Sequence, residues 1–291
     1  MRRTMKLDCP ILLLVKKSFY ELYGVDRKDP RFLAMMSASE GAAEELIDAH
    51  NENIAVIAEV EKYLISQGLS YHKSEGTQGK VDGRFALVIA VGGDGTLLAA
   101  AQQVLKTRVV GINSRPGRSV GYFCAATASD FAPLLDEVLS GRRKPRKLSR
   151  MDLYVNGYRK SPPALNDLLY AATSPGATTR YLLSWRGEEE LHRGSGVWIA
   201  TPAGSTAAIG AAGGREMEMD SSSLQFLVRE PYVAREQSIK IRGGIFDDGL
   251  AITNLTPEAA VYLDGTRHSF TIHYGDVIEP RLSSHPLCIY L

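Results

Sequence analysis

Gly92-Gly-Asp-Gly-Thr96 is where this sequence first offers chemistry. Before it runs Phe85-Ala-Leu-Val-Ile-Ala-Val91, an unbroken apolar stretch of the kind a buried parallel strand shows. After it runs Leu97-Leu-Ala-Ala-Ala-Gln-Gln-Val-Leu105, rich in good helix formers. Strand, glycine turn and helix together aim backbone N–H groups and a helix N-terminus at a phosphate. An acidic side chain is out of place in a turn that only holds anions. Asp94 makes sense there if it accepts a proton from a hydroxyl, or holds a metal, beside phosphates. The plainer alternative makes it the cap of a structural strand–helix turn. The sequence contains neither a G-x-x-x-x-G-K-[ST] nor a G-x-G-x-x-G motif, so neither a P-loop nor a dinucleotide fingerprint competes with this reading. No P-loop-like lysine is apparent, which leaves much of the charge neutralisation to a divalent metal.

Two further groups of polar residues follow. Thr201-Pro-Ala-Gly-Ser-Thr206 comes directly after the strand-like Val197-Trp-Ile-Ala200. Small hydroxyl residues and a glycine at a strand end suit a surface where a base or sugar lies against backbone; taken alone they read more often as a helix cap. Asn166-Asp167, after Leu165, taken alone is a turn. The basic run Arg142-Arg-Lys-Pro-Arg-Lys147, with Arg150 close by, reads as a solvated linker between domains rather than a polyanion site.

These residues need elements to hold them. In the first half, Ile11–Val15, Phe85–Val91 and Arg108–Ile112 are candidate strands. Helices are expected over 51–66, with Asn51 as cap and Ile54, Ile57, Ala58, Leu64 and Ile65 on one face, and over 130–139, with Ser129 placed to cap. Strands alternating with helices imply a parallel, doubly wound sheet with ligands at the strands' carboxyl ends, where both the glycine turn and Asn113 fall. After residue 143 the pattern changes. Met151–Val155 alternates with period two, Asn156-Gly157 is a type I′ hairpin signal, and strand-like runs recur at 181–185, 196–200, 259–263 and 270–273. The expectation is an α/β domain over 1–143 and an all-β domain over 144–291. The stretch 20–49 has mixed propensity and no assignment.

Composition narrows the class. With 291 residues, 44% hydrophobic and 23% charged, the chain has ordinary globular character. A net charge of +1 gives no electrostatic reason to expect a nucleic-acid or membrane partner. Cys9, Cys124 and Cys288 have no metal-ligand spacing and cannot all pair, which favours buried thiols in a reducing, cytoplasmic setting.

Taken together, the motifs resemble the NAD kinase family from about Ala86 onward. The matching residues are Gly92–Thr96, Gly111-Ile-Asn113 with Gly121-Tyr-Phe123, Leu165-Asn-Asp167, Gly196, Thr201–Thr206, Gly213-Gly214, Leu263-Asp-Gly265 and Gly275-Asp276. The glycine turn alone is shared with lipid kinases and phosphofructokinases; all three motifs in this order are specific to NAD kinases. The chain departs from the usual family pattern in having Ser195-Gly196 for Asp-Gly, Thr206-Ala-Ala208 for Thr-Ala-Tyr, and Ser-Arg-Pro-Gly-Arg-Ser after Asn113. Cys124-Ala-Ala-Thr127 and Gln225–Pro231 are similar to the plant-type NADH kinase branch, which raises NADH as acceptor.

The resemblance implies an α/β domain joined to a β-rich domain, and phosphorylation of the adenosine-ribose 2′-hydroxyl of NAD(H) by ATP with Mg²⁺. It implies Asp94 as general base, donor phosphates on Gly93, Gly95 and Thr96, and Asn113 in the nucleotide site. Asn166 and Asp167 would bond ribose hydroxyls, and Thr201, Ala203, Ser205 and Thr206 would line the adenine and ribose pocket. It also implies a homodimer, with a tetramer as the larger alternative; Leu224–Val228 is a candidate interface run that reads equally as core. Two rival readings are a lipid or sphingoid-base kinase sharing the glycine turn, and a silent nucleotide sensor on the same fold.

Overall fold

The computed structural model describes residues 9–76, 81–233 and 238–291. The chain divides into two compact units, Met1–Arg146 with Cys288–Leu291, and Lys147–Leu287.

In the first unit, every residue of Ile11–Val15 and Leu87–Gly92 is buried, and so is Arg108–Asn113 beyond its first residue. Strands apolar on both faces need cover on both. Ile11, Leu13, Val15, Ile89 and Val91 pack against the helices Glu40–Ser66 and Phe131–Leu139. The helix Asp94–Ala101 lies outside that cluster and buries Leu97, Ala100 and Ala101 of its own. The pairing is parallel throughout: Tyr71–Ser74 beside Ile11–Val15, then Leu87–Gly92, Arg108–Asn113 and the C-terminal strand Leu287–Tyr290. The order of the first four strands places the switch point between Ile11–Val15 and Leu87–Gly92, where crossovers leave in opposite directions and open a crevice at the carboxyl ends.

The long helix corrects the expectation for residues 51–66. It runs Glu40–Ser66, so Asn51 is an exposed interior residue and caps nothing. Its buried stripe is Asn53, Val56, Ile57, Val60 and Leu64, while Ile54 and Ile65 are 43% and 65% exposed. The unassigned stretch is helical as well: Tyr20–Asp26, then Pro30–Ala38, whose start is capped by the Asp29 carboxylate accepting from the N–H groups of Arg31 and Phe32. Ser129 does not cap Phe131–Leu139; its hydroxyl meets that of Thr127.

The second unit contains two six-stranded antiparallel sheets. Tyr181, Leu183, Ile252 and Ile278 from one and Tyr170, Ile199, Phe226 and Val261 from the other share a single buried core. Asn156 and Gly157 both have positive φ (52° and 77°), as a type I′ turn requires, and join Met151–Val155 to Tyr158–Ala164. In Leu224–Arg229 the residues Leu224, Phe226 and Val228 belong to the core, so this run is mostly interior; Leu227 and Arg229 are partly exposed. The last residues return to the first unit, where Ile289 and Tyr290 pair with Val109 and Val110. The three cysteines are free, and they are partly rather than fully buried.

Candidate active site

The glycine turn opens where Leu87–Gly92 ends. Gly92 has φ +153°, and a Cβ there would lie 2.3 Å from Thr96 Oγ1, so only glycine lets the helix start this close to the strand. Gly93 takes the position before the helix and Asp94 is its first residue. The N–H groups of Asp94 and Gly95 therefore have no carbonyl one turn back and remain available to an anion. Gly95 is exposed, whereas Thr96 is buried against Gly92.

Asp94 does not cap the helix. One carboxylate oxygen accepts from the Phe123 N–H at 2.9 Å; the other has no hydrogen-bond partner among the described residues. The carboxylate is thus oriented by backbone and still has a lone pair to offer. Beside it, burial first and the Asp94 charge second push the Cys124 thiol up to about 12, which keeps it protonated and inert. Asn113 is buried, and both ends of its amide are engaged: Nδ2 donates to Ser119 O at 3.2 Å and Oδ1 accepts from the Arg115 N–H at 3.0 Å. Its role in this fold is to tie down the loop of residues 114–119, whose Ser119 sits against Gly93.

A crevice of about 210 Å³ opens at the switch point, lined by Lys16, Lys17, Ser18, Gly92, Thr96 and Arg115 among others. Sequence reading found no lysine for this turn, and here strand order supplies two. Lys17 is held by Asp26 (2.7 Å) and Glu75 (3.2 Å), chiefly by its bond to Asp26, and its pKa is well above the usual lysine range. Arg115 pairs with Glu52 at 2.8 Å. Lys16 lies over the Phe19 ring (5.7 Å) and forms no ion pair among the described residues, so its charge remains for a ligand.

The second unit holds the other polar groups. The Asp264 carboxylate accepts from the N–H groups of Leu165 (2.9 Å), Asn166 (2.7 Å) and Asp167 (3.2 Å), which fixes the Asn-Asp turn. Thr201 N–H donates to Asn166 O at 2.9 Å, and the Thr201 hydroxyl donates to Leu165 O. A Cβ on Gly204 would lie 2.1 Å from Asn166 O, so the glycine is what lets the two loops touch. The Ser205 hydroxyl donates to Pro202 O (2.7 Å) and accepts from the Met217 N–H (3.0 Å). Thr201, Ala203 and Ser205 are therefore buried parts of the loop, and Thr206 alone of the four expected residues is exposed. Asn166 Oδ1 is buried with no partner, an acceptor that costs about 1–3 kcal/mol until a donor reaches it.

Asp167 is buried, and burial together with the nearby Asp264 charge raises its pKa to about 7. The unfolded value is near the ordinary 3.8, so the stability associated with the neutral carboxyl is complete below that value and is lost as pH rises to about 7. Asp167→Asn should therefore raise the melting temperature more at pH 8 than at pH 5. An equal gain at both pH values would show that Asp167 ionises normally.

The parallel α/β sheet, with a glycine turn and a half-free carboxylate beside its crevice, suits a nucleotide-dependent phosphotransferase. Residues 31–143 match the family described as ATP-NAD kinase N-terminal domain. The chain is 38% identical over 217 residues to a probable NADH kinase of rice (Oryza sativa subsp. japonica), covering 66% of this chain and 67% of that protein. It is 34% identical over 230 residues to the NADH kinase of Arabidopsis thaliana, covering 70% and 72%. Its fold is similar to that of an NAD kinase from Archaeoglobus fulgidus solved in complex with ATP, with a TM-score of 0.69 at 18% identity over 97% of this chain and 93% of that one. The chain belongs to the NAD kinase family. The lipid-kinase and silent-sensor readings are not favoured, and no helix among the described residues is long and apolar enough to cross a membrane.

Proposed function

We propose that the protein transfers the γ-phosphoryl group of ATP to the 2′-hydroxyl of the adenosine ribose of NAD⁺ or NADH, giving NADP⁺ or NADPH and ADP. The observation that carries this reading is Asp94, a carboxylate anchored by one oxygen in a turn otherwise built for anions. The free oxygen takes the proton of the attacking hydroxyl. The N–H groups of Asp94 and Gly95, with Lys16, hold the donor phosphates and offset the charge that spreads over the moving group. Asn166 Oδ1 accepts from an acceptor ribose hydroxyl, and the exposed Thr206 offers a second polar contact. The described residues contain no cluster of three or more potential metal ligands. Mg²⁺ would be held mainly through the substrate phosphates, with few protein carboxylates. When bound, the metal neutralises phosphate charge.

Ser195, neutral where the family usually has Asp, and the likeness to plant NADH kinases both support NADH as an acceptor. Purified protein with Mg-ATP, compared for NADP⁺ and NADPH formation, tests the reading; no product from either acceptor would refute it. Asn166→Ala should raise the acceptor KM by about 3–10-fold and leave the ATP KM nearly unchanged, since one hydrogen bond is worth about 0.5–1.5 kcal/mol net. Equal changes in both KM values would remove Asn166 from the acceptor site.

The proposal includes a homodimer in a reducing cytoplasm, the latter supported by three unpaired thiols. Leu227, Trp198, Leu169 and Tyr262 form a row across four adjacent strands of one sheet. All four are partly exposed on the face away from the sandwich core. An obligate dimer buries over about 2,000 Å² in total. Sedimentation at micromolar concentration should show twice the chain mass, and a fully active monomer would refute the assembly.

A further inference from the structure

Gly213-Gly214 stands among the sequence motifs, yet the reaction above gives it no work. In the structure it lines a cleft of about 530 Å³ in the second unit, together with Trp185, Arg186, Arg215, Arg242 and Gly244. The three arginines are exposed, and none lies within 4.0 Å of a carboxylate among the described residues. The whole chain carries 34 basic and 33 acidic side chains, so three uncompensated guanidinium groups around one cleft depart from its balance. Their mutual repulsion is relieved by an anion.

The cleft is also held in shape. The buried Gln225 uses both ends of its amide on the Arg215 peptide: Oε1 accepts from the Arg215 N–H at 2.6 Å and Nε2 donates to Arg215 O at 2.8 Å. Arg186 is parked over the Trp185 indole at 4.4 Å. The indole in turn meets Phe226 edge-on at 5.0 Å and lies so close to Gly244 that a Cβ there would be 2.4 Å from it. The Arg186 guanidinium and the Arg215 backbone therefore start from anchored positions, which lowers the ordering cost of binding. The donors the cleft leaves free are guanidinium forks, which suit phosphate oxygens, and its four glycines keep the floor clear of side chains.

We infer that this cleft binds a phosphate chain, as carried by a nucleoside triphosphate or by an inorganic oligophosphate, at a place separate from the glycine turn. The inference does not rest on the kinase reaction. Trp185 and Trp198 are the only two tryptophans, so a Trp198→Phe background makes Trp185 fluorescence report on this cleft. Titration of that protein with sodium tripolyphosphate at low salt should give a saturable change. The change should persist in Lys16→Met, which alters the crevice at the glycine turn, and weaken at least ~10-fold in Arg215→Gln/Arg242→Gln. Direct calorimetry on the same proteins should give the same order. ATP should compete and adenosine should not. Tighter binding of ATP than of tripolyphosphate would identify a nucleotide as the source, and equal binding the bare chain; both support the site. No saturable change, an unaltered response in the double variant, loss of the response with Lys16→Met, or a response to adenosine alone would each overturn it.

Discussion

Asp94→Asn should lower turnover by about 10²–10⁴-fold, the usual contribution of a positioned general base, while melting temperature and ATP affinity stay close to those of the parent. The asymmetry comes from the two carboxylate oxygens. The Asn side-chain oxygen keeps the 2.9 Å acceptor role toward the Phe123 N–H, so the loop should hold. What is lost is the basic lone pair on the other side, now an amide N–H₂ that cannot accept a proton. Steady-state rates alongside thermal denaturation and ATP titration separate the possibilities. A variant with near-parental turnover would show that the hydroxyl loses its proton elsewhere. A variant that fails to fold would show that Asp94 serves the turn, and Asp94→Glu would then be expected to restore folding.

Gly204→Ala should destabilise the protein by about 1–3 kcal/mol and raise the acceptor KM. The added methyl would be 2.1 Å from Asn166 O and 2.6 Å from Asn166 Cα, both backbone atoms without rotamers to escape into. Relief requires separating the two loops, which strains the Thr201 N–H to Asn166 O bond and displaces the turn that Asp264 fixes. Ser205→Ala changes a neighbour in the same loop without that collision; it removes the hydroxyl bonds to Pro202 O and the Met217 N–H but leaves the backbone of both loops in place, and should cost less. Denaturant unfolding of the two variants ranks them; a Gly204→Ala protein as stable as the parent would mean the loops are not in contact in solution.

What the sequence made legible, and what it hid, follows from range. Ile11–Val15 and Leu87–Gly92 could be read because a strand covered on both faces must be apolar at every position, a local property. The Asn156-Gly157 hairpin could be read because two positive φ values need those residue types. The start of the long helix was misplaced because Asn51 offers a capping side chain, while the helix from Glu40 has no side-chain cap and is held by the packing of Val56, Ile57, Val60 and Leu64; the Pro30 helix did carry a local signal, the Asp29 cap before a proline. Lys16 was invisible as a site residue, although it directly follows a buried strand, because its nearness to Gly92 comes from strand order alone. A charge at the carboxyl end of such a strand was the signal available. Asp264 reaches a turn 98 residues away, and no spacing rule spans that interval. With Thr201 and Ser205 the residue types were legible and the direction of their hydroxyls was not; both turn inward to hold the loop.

The return of Ile289 and Tyr290 to the first sheet has a consequence for how the protein is made. On a ribosome the strand Arg108–Asn113 emerges long before its last partner: Ala126–Thr127 soon pairs with Ile112 and Asn113, but until residues 289 and 290 arrive the flank beside Val109 and Val110 has unfilled N–H and C=O groups. The whole β-rich unit must be synthesised in the interval. The α/β unit is thus begun before the β-rich unit and completed after it. The nascent chain is most open to strand capture by other polypeptides during that wait, and this is when a holding chaperone would be of most use.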